Sequence, residues 1–258
     1  MLANLPRPTI FAHRGASAVA PENTLAAFQS AVTLGAHAIE LDAKLTLDGE
    51  VVVFHDRSLA RTTGAEGLVG ETTLEALKEL DAGSFFDSRF NGEKIPTRDE
   101  VYAQVGGKIN INIELTNYAN PNDALPEKVA ELVSRHNLEA QVLFSSFNPS
   151  VLNRIKKLLP QAPLGFLAVP GRPGWLARSW FGSAMVPYQA LHPEAHDVTS
   201  KLVERIYRRG ARVHTYTVND PAQMRSLFKI GVDGIFTDDP ELGLKILAEA
   251  ITPGNLEA

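Results

Sequence analysis

Two histidines, one arginine and three acids stand where short apolar runs of this chain give way to polar residues. His13 and Arg14 follow the run TIFA, with Gly15 behind them. His55 closes VVVFH, Glu40 and Asp42 alternate with apolar residues in AIELDAKL, and Glu114 lies near the end of KININIEL. Imidazoles have an ordinary pKa near neutrality and serve as general base and general acid. An arginine offers a rigid fork of donors to a phosphate. Carboxylates converging on one point repel each other and raise each other's pKa. A hard divalent cation that prefers oxygen, Mg²⁺ or Ca²⁺, removes that repulsion. It also polarises a phosphoryl oxygen and lowers the pKa of a bound hydroxyl. Such a set suits cleavage of a phosphodiester better than oxidation or acyl transfer.

Each part alone has a plainer explanation. E-x-D pairs are common on exposed strand ends, an exposed antiparallel strand alternates as KININIEL does, and a lone histidine is more often a core or surface residue. The combination depends on the elements beneath it. On a strand, alternate side chains share a face. Glu40 and Asp42 therefore oppose Ile39, Leu41 and Ala43, while Asn110, Asn112 and Glu114 oppose Ile109, Ile111, Ile113 and Leu115. In a parallel barrel the first set faces the interior and helices cover the second, with catalytic groups at the C-terminal strand ends.

The rest of the chain supplies that scaffold. Strand-like runs are TIFAH, AIELDAKL, VVVFHD, INIELT, QVLFSSF, PLGFLAV, QALHP, RVHTYTV and GIFTD. Helical patterns with their own start and stop residues fall between most of them, as in NTLAAFQSAVTLG, capped by Asn23 or Thr24 and stopped by Gly35. About eight strand–helix units in about 250 residues predict a (β/α)₈ TIM barrel. An open doubly wound sheet is the alternative, but no glycine-rich phosphate loop follows the first strand. Residues 57–95 break the rhythm as a small insertion over one end of the barrel. Residues 169–187 form a long rim loop holding Trp175, Trp180 and Phe181. That loop is either a local plug or an apolar lip making transient contact with lipid. No linker divides the chain, so residues 1–258 are expected to form one domain. His37, His136, His192, His196 and His214 read as core or surface residues, with His192 set apart by ending a strand.

Composition narrows the partners. Of 258 residues 44% are hydrophobic and 21% charged, and the formal net charge is -5 with no basic run, which argues against nucleic acid. The chain has no cysteine, which excludes disulfides and thiolate metal sites. No apolar stretch approaches the ~20 residues of a membrane span, and the first residues lack a signal-peptide pattern. A cytoplasmic protein is expected; its oligomeric state is not legible.

HRGASAVAPENT, GAHAIELDAKLTLDGEVVVFHD, NIELT, HTYTVND and GVDGIFTDDP occur in this order, and together they resemble the glycerophosphodiester phosphodiesterases over roughly residues 9–248. The resemblance implies a (β/α)₈ barrel and metal-dependent hydrolysis of small glycerophosphodiesters to sn-glycerol 3-phosphate and an alcohol. It implies that His13 and His55 are the acid/base pair, that Glu40, Asp42 and Glu114 bind one divalent cation, and that Arg14 binds phosphate. Glu22 of PENT is implied to support the site. Two departures stand out. The family usually has lysine where this chain has Thr116, and Lys44, on the same strand face as Asp42, is the candidate substitute. The family often has tryptophan where Tyr216 stands, which keeps an aromatic wall and adds a hydroxyl. A lysophospholipase D-like or cyclising activity on lipids, suggested by the 169–187 loop, remains open. So does a non-catalytic phosphodiester-binding barrel, suggested by Thr116.

Overall fold

The computed structural model describes residues 1–251; residues 252–258 of the expected single domain lie outside the described residues. Its strands are β1 (Thr9–Ala12), β2 (Ala38–Leu45), β3 (Val51–Val53), β4 (Asn110–Leu115), β5 (Val142–Ser146), β6 (Leu164–Ala168), β7 (Ala190–Pro193), β8 (Arg212–Thr215) and β9 (Gly234–Thr237). All but β3 pair in parallel, in the order β1-β9-β8-β7-β6-β5-β4-β2, and β1 pairs with β2 to close the ring. Helices occupy the connections. This is a (β/α)₈ TIM barrel, and the β1–β2 pairing rules out an open sheet.

Binary patterning explains the closure. Ile39, Leu41, Ala43, Ile111, Ile113 and Leu115 face outward into the core beneath the helices. Burying a side chain of this kind contributes roughly 1.5–3 kcal/mol. Phe11, Ala38, Leu143, Ala190 and Phe236 form a smaller apolar cluster with the N-terminal Leu2 and Leu5. The helix Leu25–Thr33 starts where Thr24 accepts a hydrogen bond from the Ala27 amide, and Pro149 and Pro221 open two later helices behind Asn148 and Asp220.

One strand differs from its expected role. VVVFHD is not a barrel unit: β3 runs antiparallel to β2, pairing Leu45 with Val51 and Ala43 with Val53. The chain overshoots the barrel rim on β2, reverses through the turn holding Gly49 (φ +80°), and comes back down. His55 therefore does not end a parallel strand. It reaches the rim by descending to it, and the amide of the preceding Phe54 donates to Asp42 O at 3.0 Å. The short run, bounded by an Asp-Gly turn, is a hairpin return.

Within 57–95, Leu59, Val69, Leu77, Ala82 and Ile95 join Val52 and Phe54 in a separate apolar cluster. The 169–187 connection folds into two short helices, Trp175–Arg178 and Trp180–Met185. Trp175 is 58% exposed and Trp180 59%, and Leu176, Phe181 and Met185 are exposed as well. The plug alternative therefore fails, because the rings stack on one another (Trp180 on Phe181, centroids 4.0 Å apart) rather than into the core. Among the described residues, no helix is long and apolar enough to cross a membrane.

Candidate active site

The three acids converge. One carboxylate oxygen each from Glu40, Asp42 and Glu114 lies within 4.8 Å of the others. Register explains this: Asp42 pairs with Glu114 across β2 and β4, and Glu40 with Asn112 one inward step below. Each acid is held by one donor. The Arg14 amide donates to Glu40 Oε2 at 2.9 Å, Asn23 Nδ2 to Asp42 Oδ2 at 2.8 Å, and Tyr118 Oη to Glu114 Oε1 at 2.7 Å. Burial, then Asp42 and Glu114, push the Glu40 carboxyl well above the carboxylate range. Burial, then Asp42, push Glu114 up to about 8. An all-oxygen cluster under such repulsion fits a hard divalent cation.

The two amide and side-chain donors from β1's loop depend on an unusual backbone. Arg14 and Asn23 adopt positive φ, +57° and +58°. Non-glycine residues are uncommon there, and such conformations concentrate at functional sites. Gly15 (φ +84°) passes so close to the helix Leu25–Thr33 that a Cβ would fall 2.7 Å from Ala27. Glycine is therefore required beside Arg14 for packing as well as conformation.

Both histidines stand at the same mouth, and each carries a carboxylate on Nδ1. His13 Nδ1 lies 2.7 Å from Asp238 Oδ1, and His55 Nδ1 lies 2.6 Å from Asp56 Oδ1. Burial works against the Asp238 charge, but His13, Asn219 and Ser17 outweigh it and hold its carboxyl below the usual range. Arg61, and then His55, hold Asp56 at about 2. Ionised carboxylates only accept. The hydrogen therefore sits on each Nδ1, and Nε2 is the nitrogen left for chemistry.

An ionic chain ties these parts together. Arg14 Nη1 donates to Glu22 Oε1 at 2.8 Å; Arg61 binds both Glu22 oxygens, at 2.6 and 2.8 Å; and Arg61 Nε donates to Asp56 Oδ2 at 2.6 Å. Glu22 thus joins the expected phosphate clamp to His55 through the insertion's Arg61. Burial opposes the Arg14 charge, but Asp42, Glu22 and Glu40 overcome it and raise its pKa. The Tyr216 ring stands edge-on to Phe147, centroids 6.0 Å apart, and its hydroxyl is committed to Ala168 O at 2.8 Å. Tyr216 therefore presents an aromatic wall, and its hydroxyl serves the backbone. A cleft of about 1000 Å³ opens outward from Glu114 and His55, lined also by Lys44, Asp56, Thr116, Tyr118 and Phe147.

Sequence reading missed Asp238, Asn219, Asp56, Arg61, Asn23 and Tyr118. Asp238 had a signal: it continues the inward alternation of Gly234 and Phe236 past the end of β9. Arg61 had none, since its partners are brought to it only by the insertion's fold. His192 and His214 pair with each other inside the barrel, His214 Nδ1 to His192 Nε2 at 3.3 Å, beside Phe236.

Comparison with known proteins points to one family. Residues 13–242 match the model of the Glycerophosphoryl diester phosphodiesterase family. A glycerophosphodiester phosphodiesterase of Caldanaerobacter subterraneus subsp. tengcongensis is 41% identical over 233 residues, covering 90% of this chain and 94% of the relative. One of Bacillus altitudinis is 37% identical, covering 93% of this chain and 98% of the relative. Among solved structures, an Oleispira antarctica phosphodiesterase in complex with the product sn-glycerol 3-phosphate superposes with TM-score 0.85 at 31% identity, covering 94% of this chain and 97% of that one.

Proposed function

Because this chain belongs to the glycerophosphoryl diester phosphodiesterase family, we propose that its barrel mouth hydrolyses small glycerophosphodiesters to sn-glycerol 3-phosphate and an alcohol by two-histidine acid/base catalysis. The observation that carries this reading is the pair of carboxylate-backed imidazoles flanking the triacid cluster. Each Asp fixes its imidazole's tautomer and orientation. One histidine takes the proton of the attacking hydroxyl at Nε2. The other gives a proton to the departing alcohol oxygen as the P–O bond breaks. The attacking hydroxyl is that of water or of the glycerol moiety; in the second case the resulting cyclic phosphate is opened by water with the roles reversed. Arg14, kept charged by its acidic neighbours, orients a non-bridging phosphoryl oxygen. Glu40, Asp42 and Glu114 would hold one divalent cation, Mg²⁺ or Ca²⁺, which supplies positive charge for polarising the phosphoryl group and acidifying a hydroxyl. Glu22 supports Arg14, and Tyr216 walls the substrate. The single-domain organisation and cytoplasmic placement expected from the sequence belong to the same reading.

The exposed rings at Trp175, Trp180 and Phe181 favour a second reading, transient contact with lipid and lysophospholipase D-like or cyclising turnover of lipid substrates. One assay separates the two: release of glycerol 3-phosphate from glycerophosphocholine and glycerophosphoethanolamine with Mg²⁺, with Ca²⁺ and with chelator, beside long-chain lysophospholipids. Metal-dependent release from the small diesters is expected. Turnover of lysophospholipids alone would replace the first reading with the second.

A further inference from the structure

Lys44 on β2 and Thr116, the residue just past the end of β4, stand side by side beyond the Asp42–Glu114 pair. Lys44 Nζ donates to Thr116 Oγ1 at 2.8 Å, and that hydroxyl donates its own proton to Ala43 O at 2.7 Å. The hydroxyl's orientation is therefore fixed, with a lone pair turned to the ammonium. An ammonium carries three donors, and Thr116, a neutral group, accepts one. Burial, and in smaller part Arg14, lower the Lys44 pKa, while Asp42, Glu114 and Asp56 act against them through space. The lysine also lines the cleft that holds His55 and Glu114. Arg14 approaches Asp42 from the β1 side, Nε at 3.5 Å from Oδ2. Lys44 comes from the β2–β4 side of the same cluster.

We propose that Lys44, positioned by Thr116, is a second cation of the site for the phosphoryl oxygens, facing them across the carboxylate cluster from Arg14. The proposal rests on the phosphodiesterase reading above. A lysine is suited to the task as a compact point charge with rotatable donors, where Arg14 provides a fixed fork. Its seat explains how a threonine serves at position 116: the hydroxyl holds in place a charge delivered by the next strand.

The test is calorimetric binding of sn-glycerol 3-phosphate, with steady-state kinetics on glycerophosphoethanolamine, both in saturating Mg²⁺ on the full chain. Lys44→Met and Lys44→Gln are expected to weaken product binding about 10-fold or more and to raise KM more than they lower kcat, the scale of one charge-assisted hydrogen bond. Thr116→Val, which leaves the ammonium but removes its seat, should have a smaller effect in the same direction. Lys44→Met combined with Thr116→Lys returns a cation to the spot from β4 and should recover most of the binding. Product binding within twofold of wild type in folded Lys44→Met and Lys44→Gln overturns the proposal, as does failure of Thr116→Lys to recover any of it. Wild-type protein that neither binds the product nor turns over the diester overturns the underlying reading, and the proposal with it.

Discussion

His13 Nδ1 and Asp238 Oδ1 lie 2.7 Å apart although 225 positions separate them in the sequence. Barrel closure makes the contact, because β1 and β9 are neighbours and pair Ala12 with Thr237, the residues just before them. The far oxygen of Asp238 is held by Asn219 Nδ2 at 2.6 Å, and Ser17 Oγ donates to the near one at 3.1 Å. The imidazole is thus aimed by a carboxylate that cannot itself swing.

Asp238→Asn therefore removes the charge behind His13 while keeping the shape. An amide can present N–H to Nδ1, which favours the wrong tautomer. The expected outcome is a fall in kcat of at least ~10²-fold with KM little changed and an unaltered circular dichroism spectrum, similar to the loss expected for His13→Ala. A loss confined to KM in His13→Ala would reassign that residue to binding. A fall of less than tenfold in Asp238→Asn would mean that its carboxylate does not orient the ring.

Glu40→Gln tests the acidic cluster. The substitution keeps an acceptor for the Arg14 amide but removes one of the three converging charges. Turnover should be abolished and divalent-ion affinity reduced with the barrel intact. Wild-type protein should gain stability on adding Mg²⁺ or Ca²⁺, by roughly 2.7 kcal/mol at a hundred times its Kd, and the variant should gain much less at the same concentration. Full activity of Glu40→Gln in the presence of chelator would end the metal reading.

Much of this arrangement was legible in the sequence, for a physical reason. Alternation along AIELDAKL and KININIEL states which side chains face the interior, and β2 covers the whole of the first run. What alternation cannot state is direction. VVVFHD reads the same whether the strand rises with the barrel or descends against β2, and only the pairing of Ala43 with Val53 shows that it descends. Nor does any local pattern announce partners supplied by a distant turn. Arg61 lies on a four-residue helix of the insertion, yet it binds Glu22 and Asp56 together. Such contacts follow from how the insertion packs on its own apolar cluster around Val52 and Phe54.

The His192–His214 pair predicts how stability responds to acid. Both side chains are fully buried in the barrel interior. Burial pushes His192 down to about 3, and burial followed by His192 pushes His214 well below the ordinary histidine value. In the unfolded chain each imidazole titrates near 6.5. Between the folded and unfolded pKa values the unfolded chain binds protons that the folded barrel refuses, so stability rises with pH across that window. It is complete above about pH 6.5 and drains away as the pH falls toward the folded value, at up to about 1.4 kcal/mol per pH unit for each histidine. His192→Gln keeps a hydrogen-bonding side chain beside His214 but cannot titrate. Urea unfolding at pH 7, 6 and 5 should show the wild type losing stability more steeply than His192→Gln, whatever the variant's stability at pH 7. Parallel pH profiles for the two proteins would show that the His192 site accepts a proton in the folded barrel as readily as in the open chain.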